Sequence, residues 1–464
     1  MRARQRAAAL LDAGTFEPLT NLTGDTPLVA GSGRIDGVPV LVACVDGHVR
    51  GGTVGVGESS LLADLAERAT DSQRTGRRLP LIIGLDTGGV RVEEGPRALA
   101  AASAVGVALA RLTLIGVPLA VVISGPRGCF GATAVMAALP RCIIITEDAH
   151  WGLTGPRLLG SVADRQGAEQ AGFVATSAAV RYANGDADAV VPDSVAGVRE
   201  PLRRFMAASA APAQGPTVVQ HLDRSVEVTG HLRRQLRAGA ASVVATTLGP
   251  RRRDLLRYSL RGQWKRTGPI QRAGLIHAAF GTLGARPALA FILEPEPSYG
   301  AGVGIEEAAV VAEMIRSVVA QRSSGPPAAI LTFLFCQGHA VDLEQERFGL
   351  PRALAECLRA MVAARLLGHP IISVLGGGTY GAAYLALAAP SHRVLALRGT
   401  SVAPMAPHVL QAFQALRGFK SGQEAAMQLA ELIPGIRMVE SVIRLPRVLK
   451  DELAELRDTV HPEA

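Results

Sequence analysis

The sequence predicts an α/β fold with two large, similarly organised domains, and three observations support this prediction. Glycine clusters recur about 250 residues apart: Gly89 is matched by Gly338, and Gly131 by Gly381. An apolar run with strand character precedes each cluster and a helical stretch follows it, which is the alternation typical of βαβ units. Aromatic residues make up only 4% of a chain rich in Gly and Ala, so stacking platforms for nucleic acid are not expected.

The first half begins with a helix that Gly14 ends, and it continues into a predicted hairpin. Asp46-Gly47 is typical of two-residue hairpin turns, so residues from His48 onward are expected to pair with the strand before the turn. The later strands are short apolar runs between longer helical stretches. The predicted elements are a helix at 3–14, a turn at 33–37, strands at 38–45, 79–86, 118–124 and 142–146, and helices at 59–74, at 95–114 and from the turn at 125–131 through 138.

The second half repeats this order. The predicted elements there are strands at 328–335, 370–375 and 394–397, helices at 350–367 and 382–389, and a glycine turn at 376–381. We therefore predict domains at 1–206 and 276–464. The stretch between them, 207–275, begins with a linker rich in Ala, Ser, Pro and Gln.

Arginines are concentrated at 231–272, in the stretch between the predicted domains. They could form a surface that holds phosphate or docks a carrier, but we favour a solvated helical lead-in to the second domain. The net charge of +8 allows acidic partners, although a generally Arg-rich proteome explains it more simply.

The cysteines and the apolar runs bear on localisation. The five cysteines are odd in number and form no C-x-x-C pair, which argues against zinc and favours reduced thiols in a cytoplasmic protein. The apolar part of the first eleven residues is too short for a signal peptide, and the run at 112–124 is too short to span a bilayer. We expect no membrane association.

Several common sites are not predicted. The glycines are not in the G-x-G-x-x-G register of a dinucleotide site, and no P-loop motif is present. No His, Asp or Glu cluster has metal-ligand spacing, so no metal is expected. No Ser lies in a G-x-S-x-G elbow, so a Ser-His-Asp triad cannot be assembled.

The glycine clusters themselves are the candidate catalytic site. Glycine turns leave backbone N–H groups open, and such groups can hold an oxygen that gains negative charge. Two ordinary β-to-α turns are the simpler explanation of one cluster, but its recurrence in the second half favours function. The first set is Gly88, Gly89 and Val90 with Gly128, Cys129, Phe130 and Gly131; the second is Gly377, Gly378, Thr379, Tyr380 and Gly381.

Four polar residues beside the clusters are candidate substrate contacts: Arg91, Glu94, His339 and Tyr384. For Glu94 the alternative is a carboxylate favoured by the first turn of a helix. Tyr380 or Tyr384 could donate a proton to an enolate, or simply pack against the turn. His339 is equally a surface residue or a substrate contact. The Cys129 side chain is expected to pack rather than to react.

The first half resembles carboxyltransferases of the crotonase superfamily, and more narrowly the beta subunit of biotin-independent malonate decarboxylase. The second half resembles the gamma subunit of that enzyme more loosely, through Gln337-Gly338, the helix at 350–367 and the cluster at 376–384. The motifs that carry the first resemblance are Gly33-Arg34-Ile35-Asp36-Gly37, Gly51-Gly52-Thr53-Val54-Gly55, Gly88-Gly89-Val90-Arg91, Gly128-Cys129-Phe130-Gly131, Gly152-Leu153-Thr154-Gly155-Pro156 and Arg181-Tyr182-Ala183-Asn184-Gly185.

The resemblance implies two crotonase-like domains of the ββα-spiral type, related by internal duplication and fused in one chain. It implies that a malonyl thioester on the phosphopantetheine-type arm of an acyl carrier protein, or on CoA, loses CO₂ through an enolate. The first cluster would hold the thioester oxygen and the second the departing carboxylate. No tightly bound cofactor is implied. An acyl carrier protein and a malonyl/acetyl transferase subunit are the implied partners, and a homo-oligomer is possible.

Two other functions stay open. The chain could be a component of a biotin-dependent acyl-CoA carboxyltransferase, although it carries neither a zinc ribbon nor an Ala-Met-Lys-Met biotin site. It could also be a scaffold that binds an acyl carrier without catalysis. The glycine clusters in both halves argue against the scaffold.

Overall fold

The chain forms two compact units. The structure is a computed structural model that describes residues 2–19, 25–163, 167–210, 217–239, 264–294, 302–321, 326–336, 338–411, 430, 433–441 and 443–460. The first unit comprises Met1–Glu94, Ala101–Thr217 and Asp342–Ala355, and the second comprises Gly95–Ala100, Val218–Val341 and Glu356–Ala464. Each unit is thus discontinuous in sequence, whereas the predicted domains are continuous.

The first unit contains a seven-stranded sheet in which the strands follow one another in chain order. The first three strands are antiparallel and the others are parallel. The parallel strands β4 to β6 are buried along their whole length, which explains why they are continuous apolar runs in the sequence. The strands are β1 Glu17–Pro18, β2 Leu28–Ile35, β3 Val38–Val45, β4 Leu81–Leu85, β5 Leu119–Ile123, β6 Cys142–Thr146 and β7 Ala189–Val191.

The predicted hairpin at Asp46 is wrong, because β3 pairs with the strand before it. The turn between β2 and β3 is at Asp36 and Gly37, whose φ angles of 48° and 77° suit a two-residue hairpin loop. The carboxylate of Asp46 accepts hydrogen bonds from the N–H groups of Ala3, at 3.2 Å, and His48, at 3.0 Å. These bonds fix the chain after β3 as a turn rather than as a partner strand.

Helices α1, α2 and α8 pack against this sheet, and the predicted positions of the long helices α2 and α3 are confirmed. The first six residues of α3, Gly95–Ala100, are assigned to the second unit. The α1 helix ends at Leu10, short of the predicted Gly14. The helices are α1 Ala3–Leu10, α2 Val56–Arg74, α3 Gly95–Leu114, α4 Ala132–Ala137, α5 Pro156–Ala163, α6 Ala168–Thr176, α7 Ala178–Ala183 and α8 Val195–Ala210.

One helical stretch, Val92–Leu114, is long and apolar enough to cross a membrane by length and composition alone. Because 61% of its most apolar window is buried inside the protein, it has the character of a core helix. Among the described residues it is the one stretch that meets these criteria.

The second unit contains its own seven-stranded sheet, with three antiparallel strands at one side and four parallel strands at the other. A separate pair of short parallel strands, β13 and β15, completes the strands of this unit that the structure describes. The strands are β8 Trp264–Ala273, β9 Ile276–Leu283, β10 Arg286–Leu293, β11 Ala329–Leu334, β12 Ile371–Leu375, β13 Gly378–Tyr380, β14 Arg393–Leu397, β15 Ser401–Ala403 and β16 Ile436–Val439. The mixed α/β class with two sheets is confirmed.

The remaining helices include one that lies outside the second unit. Leu343–Arg347 is part of the segment Asp342–Ala355, which belongs to the first unit. These helices are α9 Val218–Gly239, α10 Ile305–Ala320, α11 Leu343–Arg347, α12 Leu350–Leu366, α13 Gly381–Ala383, a π-helix at Tyr384–Ala388 and α14 Leu445–Thr459.

Two local predictions in the second half need correction. Within the predicted helical lead-in at 231–272, residues 231–239 are helical, whereas 264–272 lie in strand β8; residues 240–263 lie outside the described residues. The predicted glycine turn at 376–381 contains strand β13, because its backbone pairs with β15.

The basic segment is in part internally paired. On α9, Arg233 and Arg237 form ion pairs with Glu313 and Glu306 of α10. These two pairs favour the structural explanation of the segment over an open phosphate site. Arg251, Arg252, Arg253, Arg257 and Arg261 lie outside the described residues.

Candidate active site

The two predicted glycine loops of the first unit contact each other. A Cβ atom placed on Gly89 would lie 2.9 Å from the carbonyl oxygen of Phe130 and 3.7 Å from the Cα of Gly131. The φ angles of Gly89 and Gly131, +104° and +68°, are ones that residues with side chains rarely adopt. The structure therefore brings the two loops together, and it requires glycine where they meet.

Internal hydrogen bonds occupy most of the predicted donors in these loops. The occupied N–H groups are those of Gly88, bonded to Gly51 O; Gly89, to Thr87 Oγ1; Gly128, to Gly125 O; Cys129, to His150 O; and Gly131, to Leu153 O. These groups hold the loops in shape and are not available to a ligand. The carbonyl oxygen of Phe130 is also engaged, since it accepts a hydrogen bond from the Thr133 hydroxyl at 2.6 Å.

Four neighbouring N–H groups are open. Among the described residues, the N–H groups of Val90, Phe130, Ala132 and Thr133 donate no hydrogen bond within the chain. The Val54 N–H donates to the carbonyl oxygen of Gly89 at 2.9 Å, and the Val54 carbonyl oxygen accepts the Arg91 N–H at 2.8 Å. Neither bond uses the N–H of Val90, which lies between these two residues. Ala132 and Thr133 begin α4, where the first N–H groups have no partner inside the helix.

Arg91 and Glu94 lie in an ion-pair network beside the first loop. The Arg91 guanidinium is bonded to Glu94 at 2.6 Å, to Glu58 at 3.0 Å and to the carbonyl oxygen of Thr53 at 2.8 Å. Arg91 is buried, so these contacts satisfy a charge that is costly to bury alone. This placement favours a role in holding the loop, and their contact with substrate stays a prediction.

A loop at 152–154 packs against the glycine turn at 128–131 of the first unit. The Leu153 carbonyl oxygen accepts the Gly131 N–H at 3.0 Å, and the Gly152 N–H donates to the Cys129 carbonyl oxygen at 3.1 Å. The carboxylate of Glu346, on α11, accepts the N–H groups of Leu153 at 3.1 Å and Thr154 at 2.6 Å. Burial raises the pKa of Glu346 to about 7, although the Thr154 N–H and the charge of Arg181 lower it in part.

Arg181 fixes the end of α11 in the first unit. Its guanidinium bonds to the carboxylate of Asp186 at 3.0 Å and to the carbonyl oxygens of Ala175 and Glu346. Arg181 and Asp186 are only 1% and 3% exposed, so this is a fully buried ion pair. The motif Arg181–Gly185 has no role assigned from the sequence. In the structure its Arg181 anchors the segment Asp342–Ala355, which lies much later in the chain.

The Cys129 thiol is not a nucleophile in this geometry. It is fully buried, and burial raises its pKa to about 12. The other four cysteines are also free and buried. We expect none of the five thiols to react with a thiol-specific reagent at pH 8 in the native protein, and all five to react after unfolding. Rapid labelling of one native thiol would contradict this burial.

A cavity of about 20 Å³ lies in the first unit near the open N–H groups. Its lining is mostly apolar and includes Val54, Leu85, Thr133 and Met136. The hydroxyl of Ser59 also lines it and has no hydrogen-bond partner among the described residues. This volume fits one small group.

The second cluster lies in the second unit, where Gly338 and His339 contact it. A Cβ atom on Gly338 would be 3.7 Å from the Cβ of Tyr380, and one on Gly381 would be 3.6 Å from His339 Nδ1. Burial lowers the pKa of His339 to about 4, so the imidazole is neutral at pH 7. Gln337 lies outside the described residues.

The side chains of the second cluster are well buried. Gly378, Thr379 and Tyr380 form β13, so the sheet uses part of their backbone hydrogen-bonding capacity, and Gly377 accepts the Ser401 N–H at 2.7 Å. Burial raises the pKa of Tyr380, whose hydroxyl bonds to Ser401, and raises that of Tyr384 to about 12. Both phenols therefore keep their protons at neutral pH. Within the described residues the Thr379 hydroxyl has no hydrogen-bond partner.

Sequence reasoning missed several residues of this site. Ala132 and Thr133 could have been inferred from Gly131, since the residues after a glycine that opens a helix carry the unpaired N–H groups. Glu346 gave no signal, because it is one of several acidic residues in a polar stretch far from the first cluster. In the part of the chain that the structure describes, no group of three or more His, Cys, Asp or Glu residues could hold a metal.

Two family models match different parts of the chain. Residues 1–224 match the family model "Carboxyl transferase domain", and residues 299–462 match "Malonate decarboxylase gamma subunit". A carboxyl transferase subunit beta of acetyl-coenzyme A carboxylase from Roseiflexus castenholzii is 38% identical over 91 residues, which are 20% of this chain and 29% of that relative. The alignment therefore spans less than a third of that relative's length.

Two further relatives match longer stretches. The beta/alpha carboxyl transferase subunits of acetyl-coenzyme A carboxylase from Saccharopolyspora erythraea are 26% identical over 459 residues, covering 88% of this chain and 74% of the relative. The solved Pseudomonas malonate decarboxylase MdcD-MdcE hetero-dimer is 33% identical, with 50% of this chain and 94% of that chain covered and a TM-score of 0.43. Both family matches together identify the chain as a carboxyl transferase domain fused to a malonate decarboxylase gamma-type domain, that is, a fused beta–gamma chain.

Proposed function

We propose that this protein decarboxylates a malonyl thioester to the acetyl thioester without biotin. One observation carries the proposal: two adjacent glycine loops present the open N–H groups of Val90, Ala132 and Thr133, in a domain that matches carboxyl transferases. The gamma-type match of the second half supports decarboxylation as the outcome. In class terms the enzyme is a carbon–carbon lyase.

The reaction places a clear demand on these donors. The bond between the carboxylate carbon and the α-carbon breaks, CO₂ leaves, and the electron pair moves through the α-carbon onto the thioester oxygen. A proton added to the α-carbon then gives the acetyl group. The N–H groups of Val90 and Ala132 would hold the enolate oxygen, and each such donor contributes about 100- to 1,000-fold to kcat.

Tyr380, in the second unit, stays the predicted proton donor. Its phenol is buried and protonated at neutral pH, and it lies over Gly378, where a Cβ atom would be 2.7 Å from the hydroxyl. Tyr384 is the second candidate, because it too is buried and begins a π-helix, an irregularity common at functional sites.

Replacing Tyr380 by Phe tests this assignment. We expect kcat to fall by about 100-fold or more with a small change in KM, because general acid catalysis typically contributes that much. Tyr182→Phe is the matched control, since Tyr182 is 56% exposed on α7. Unchanged kcat in the Tyr380 variant would move the role to another group.

A carboxyltransferase is the second candidate function. The alignment with the beta/alpha carboxyl transferase subunits of acetyl-coenzyme A carboxylase covers 88% of this chain, and those subunits are named for carboxyl transfer. An oxyanion site of the same kind would serve transfer to biotin equally well. The scaffold function has no specific observation in its favour.

One experiment separates the three functions. The purified chain is incubated with a malonyl thioester on an acyl carrier protein or on CoA, with avidin present to remove any biotin, and CO₂ release is followed. Release in the presence of avidin supports decarboxylation. In a separate reaction without avidin, formation of carboxybiotin from added free biotin supports carboxyl transfer. Carrier binding without either reaction supports the scaffold.

The remaining assignments follow from the proposed reaction. The substrate arm is of the phosphopantetheine type, no cofactor is tightly bound, and the chain works with an acyl carrier protein and a malonyl/acetyl transferase subunit in the cytoplasm. Internal duplication is proposed from the two sheets, which have the same sequence of antiparallel and parallel pairings. The glutamates Glu58 and Glu307 also accept the N–H group of a glycine three residues earlier in each unit, at 2.9 Å.

A further inference from the structure

We propose that Glu346 is a positioning residue for the second glycine turn of the first unit, 128–131, and for the open N–H groups that follow it. The inference rests on the proposed function, in which this turn contacts the thioester. Glu346 is supplied by the part of the chain that matches the gamma subunit, yet the segment Asp342–Ala355 belongs to the first unit.

A short chain of hydrogen bonds connects Glu346 to the turn. Its two carboxylate oxygens accept the N–H groups of Leu153 and Thr154, at 3.1 and 2.6 Å. The 152–154 loop then bonds to Cys129 and Gly131, at 3.1 and 3.0 Å. The bond to Leu153 fixes the Gly131 N–H, and the next N–H along the chain is that of Ala132. We therefore infer that the loop held by Glu346 also positions the Ala132 N–H.

Packing alone does not explain a carboxylate at the position of Glu346. The residue is 0% exposed, and a Cβ atom on Gly152 would lie 3.1 Å from its carboxylate oxygen. A carboxyl group in this place is costly to desolvate, and an apolar side chain of similar size would avoid that cost. The function of the Glu346 carboxylate in this place is therefore to accept the hydrogen bonds of the Leu153 and Thr154 N–H groups.

The ionised form accepts both hydrogen bonds most strongly, because protonation turns one carboxylate oxygen into a hydroxyl donor. Since the pKa of Glu346 is raised to about 7, we expect the turn to be held more firmly as pH rises through this value, and kcat to rise with it. Other charged groups lie on its own helix and on neighbouring elements, so a matched variant is needed to isolate its titration. They are His150, Glu169, Arg181, Asp186, Glu344 and Arg347.

The test compares Glu346→Gln with Glu344→Gln in the full chain. Gln has one acceptor oxygen and an NH₂ group that faces an N–H donor, so one hydrogen bond to the loop is lost. Glu344 lies on the same helix, is 37% exposed and pairs only with Arg347 among the described residues. The measurements are kcat and KM for the malonyl thioester between pH 6 and 8.5, and hydrogen exchange of peptides covering 128–134 and 150–156.

We expect Glu346→Gln to lower kcat by about 10- to 100-fold with little change in KM, because a misplaced donor costs transition-state stabilisation rather than binding. The rise of kcat through pH 7 should disappear, and exchange should quicken in both peptides. Glu344→Gln should leave all of these unchanged. Unaltered kcat and unaltered exchange in a folded Glu346→Gln protein would overturn the inference.

The outcomes for Glu346 and for the proposed function are separable. If the unmodified chain releases no CO₂ from any malonyl thioester, the proposed function fails, and hydrogen exchange in the 128–134 peptide still decides whether Glu346 positions the turn. If Glu346→Gln does not fold, exchange in the unmodified protein at pH 6 and 8 tests the same link. Equal protection of this peptide at both pH values, after correction for intrinsic rates, would contradict it.

Discussion

Replacing Gly89 by Ala is expected to lower kcat for decarboxylation by about 100- to 1,000-fold, the effect of losing one oxyanion donor. The new Cβ atom would lie 2.9 Å from the Phe130 carbonyl oxygen, and the φ of +104° would be strained. The 88–90 loop would have to shift away from the turn at 128–131, and the Val90 N–H would move with it.

Gly57→Ala is the matched control for this substitution. Gly57 lies on α2, a Cβ atom there would meet nothing within 4 Å, and its φ is not in the left-handed region. We expect unchanged kcat and a change in stability below about 0.5 kcal/mol, because Gly57 is the second residue of α2 and a Cβ atom there meets no neighbour. Full activity in a folded Gly89→Ala protein would show that the donors lie elsewhere.

Replacing Arg181 by Met is expected to lower the free energy of unfolding by about 3–5 kcal/mol, because it leaves the buried carboxylate of Asp186 without its partner. Burial already raises the pKa of Asp186, so the unpaired group would take up a proton more readily. The variant would also lose the donor to the last carbonyl groups of α11.

Urea unfolding followed by circular dichroism measures this loss. Arg204→Met is the control, since Arg204 is 79% exposed and its pair with Glu200 is a surface contact worth little. We expect a change below about 0.5 kcal/mol for the control. Equal stability of the two variants would mean that the Arg181–Asp186 pair does not hold the segment Asp342–Ala355 in the first unit.

Much of the fold could be predicted from the sequence, because the long elements obey local rules. Helix α3 and strand β6 were predicted with their observed bounds, since α3 is a long Ala-rich segment that Gly116 follows and β6 is a short apolar run between Arg141 and Glu147. The hairpin was misplaced because Asp-Gly is typical of hairpin turns, whereas Asp46 here bonds to the N–H of a distant residue, Ala3. A long-range contact of this kind leaves no local pattern.

The sequence predicts which glycine loops form the candidate site, but not the hydrogen-bond partners of their N–H groups. The glycines of the two first-unit loops mark where the chain must turn, and the structure brings them into contact. Which N–H groups are open depends on partners such as Leu153 and Val54, which only the folded chain identifies. Glu346 is separated from Thr154 by 192 residues, and no spacing rule reaches that far.

The most direct test of the central claim is decarboxylation in D₂O with avidin present. We expect the chain to release CO₂ from a malonyl thioester and each acetyl product to gain one deuterium from solvent at the α-carbon, because the enolate is protonated after the carbon–carbon bond breaks. Mass spectrometry of the acetyl thioester measures this ratio. Acetyl product without solvent deuterium, or acetyl product that forms only in a parallel reaction with free biotin and no avidin, together with carboxybiotin, would contradict biotin-independent decarboxylation.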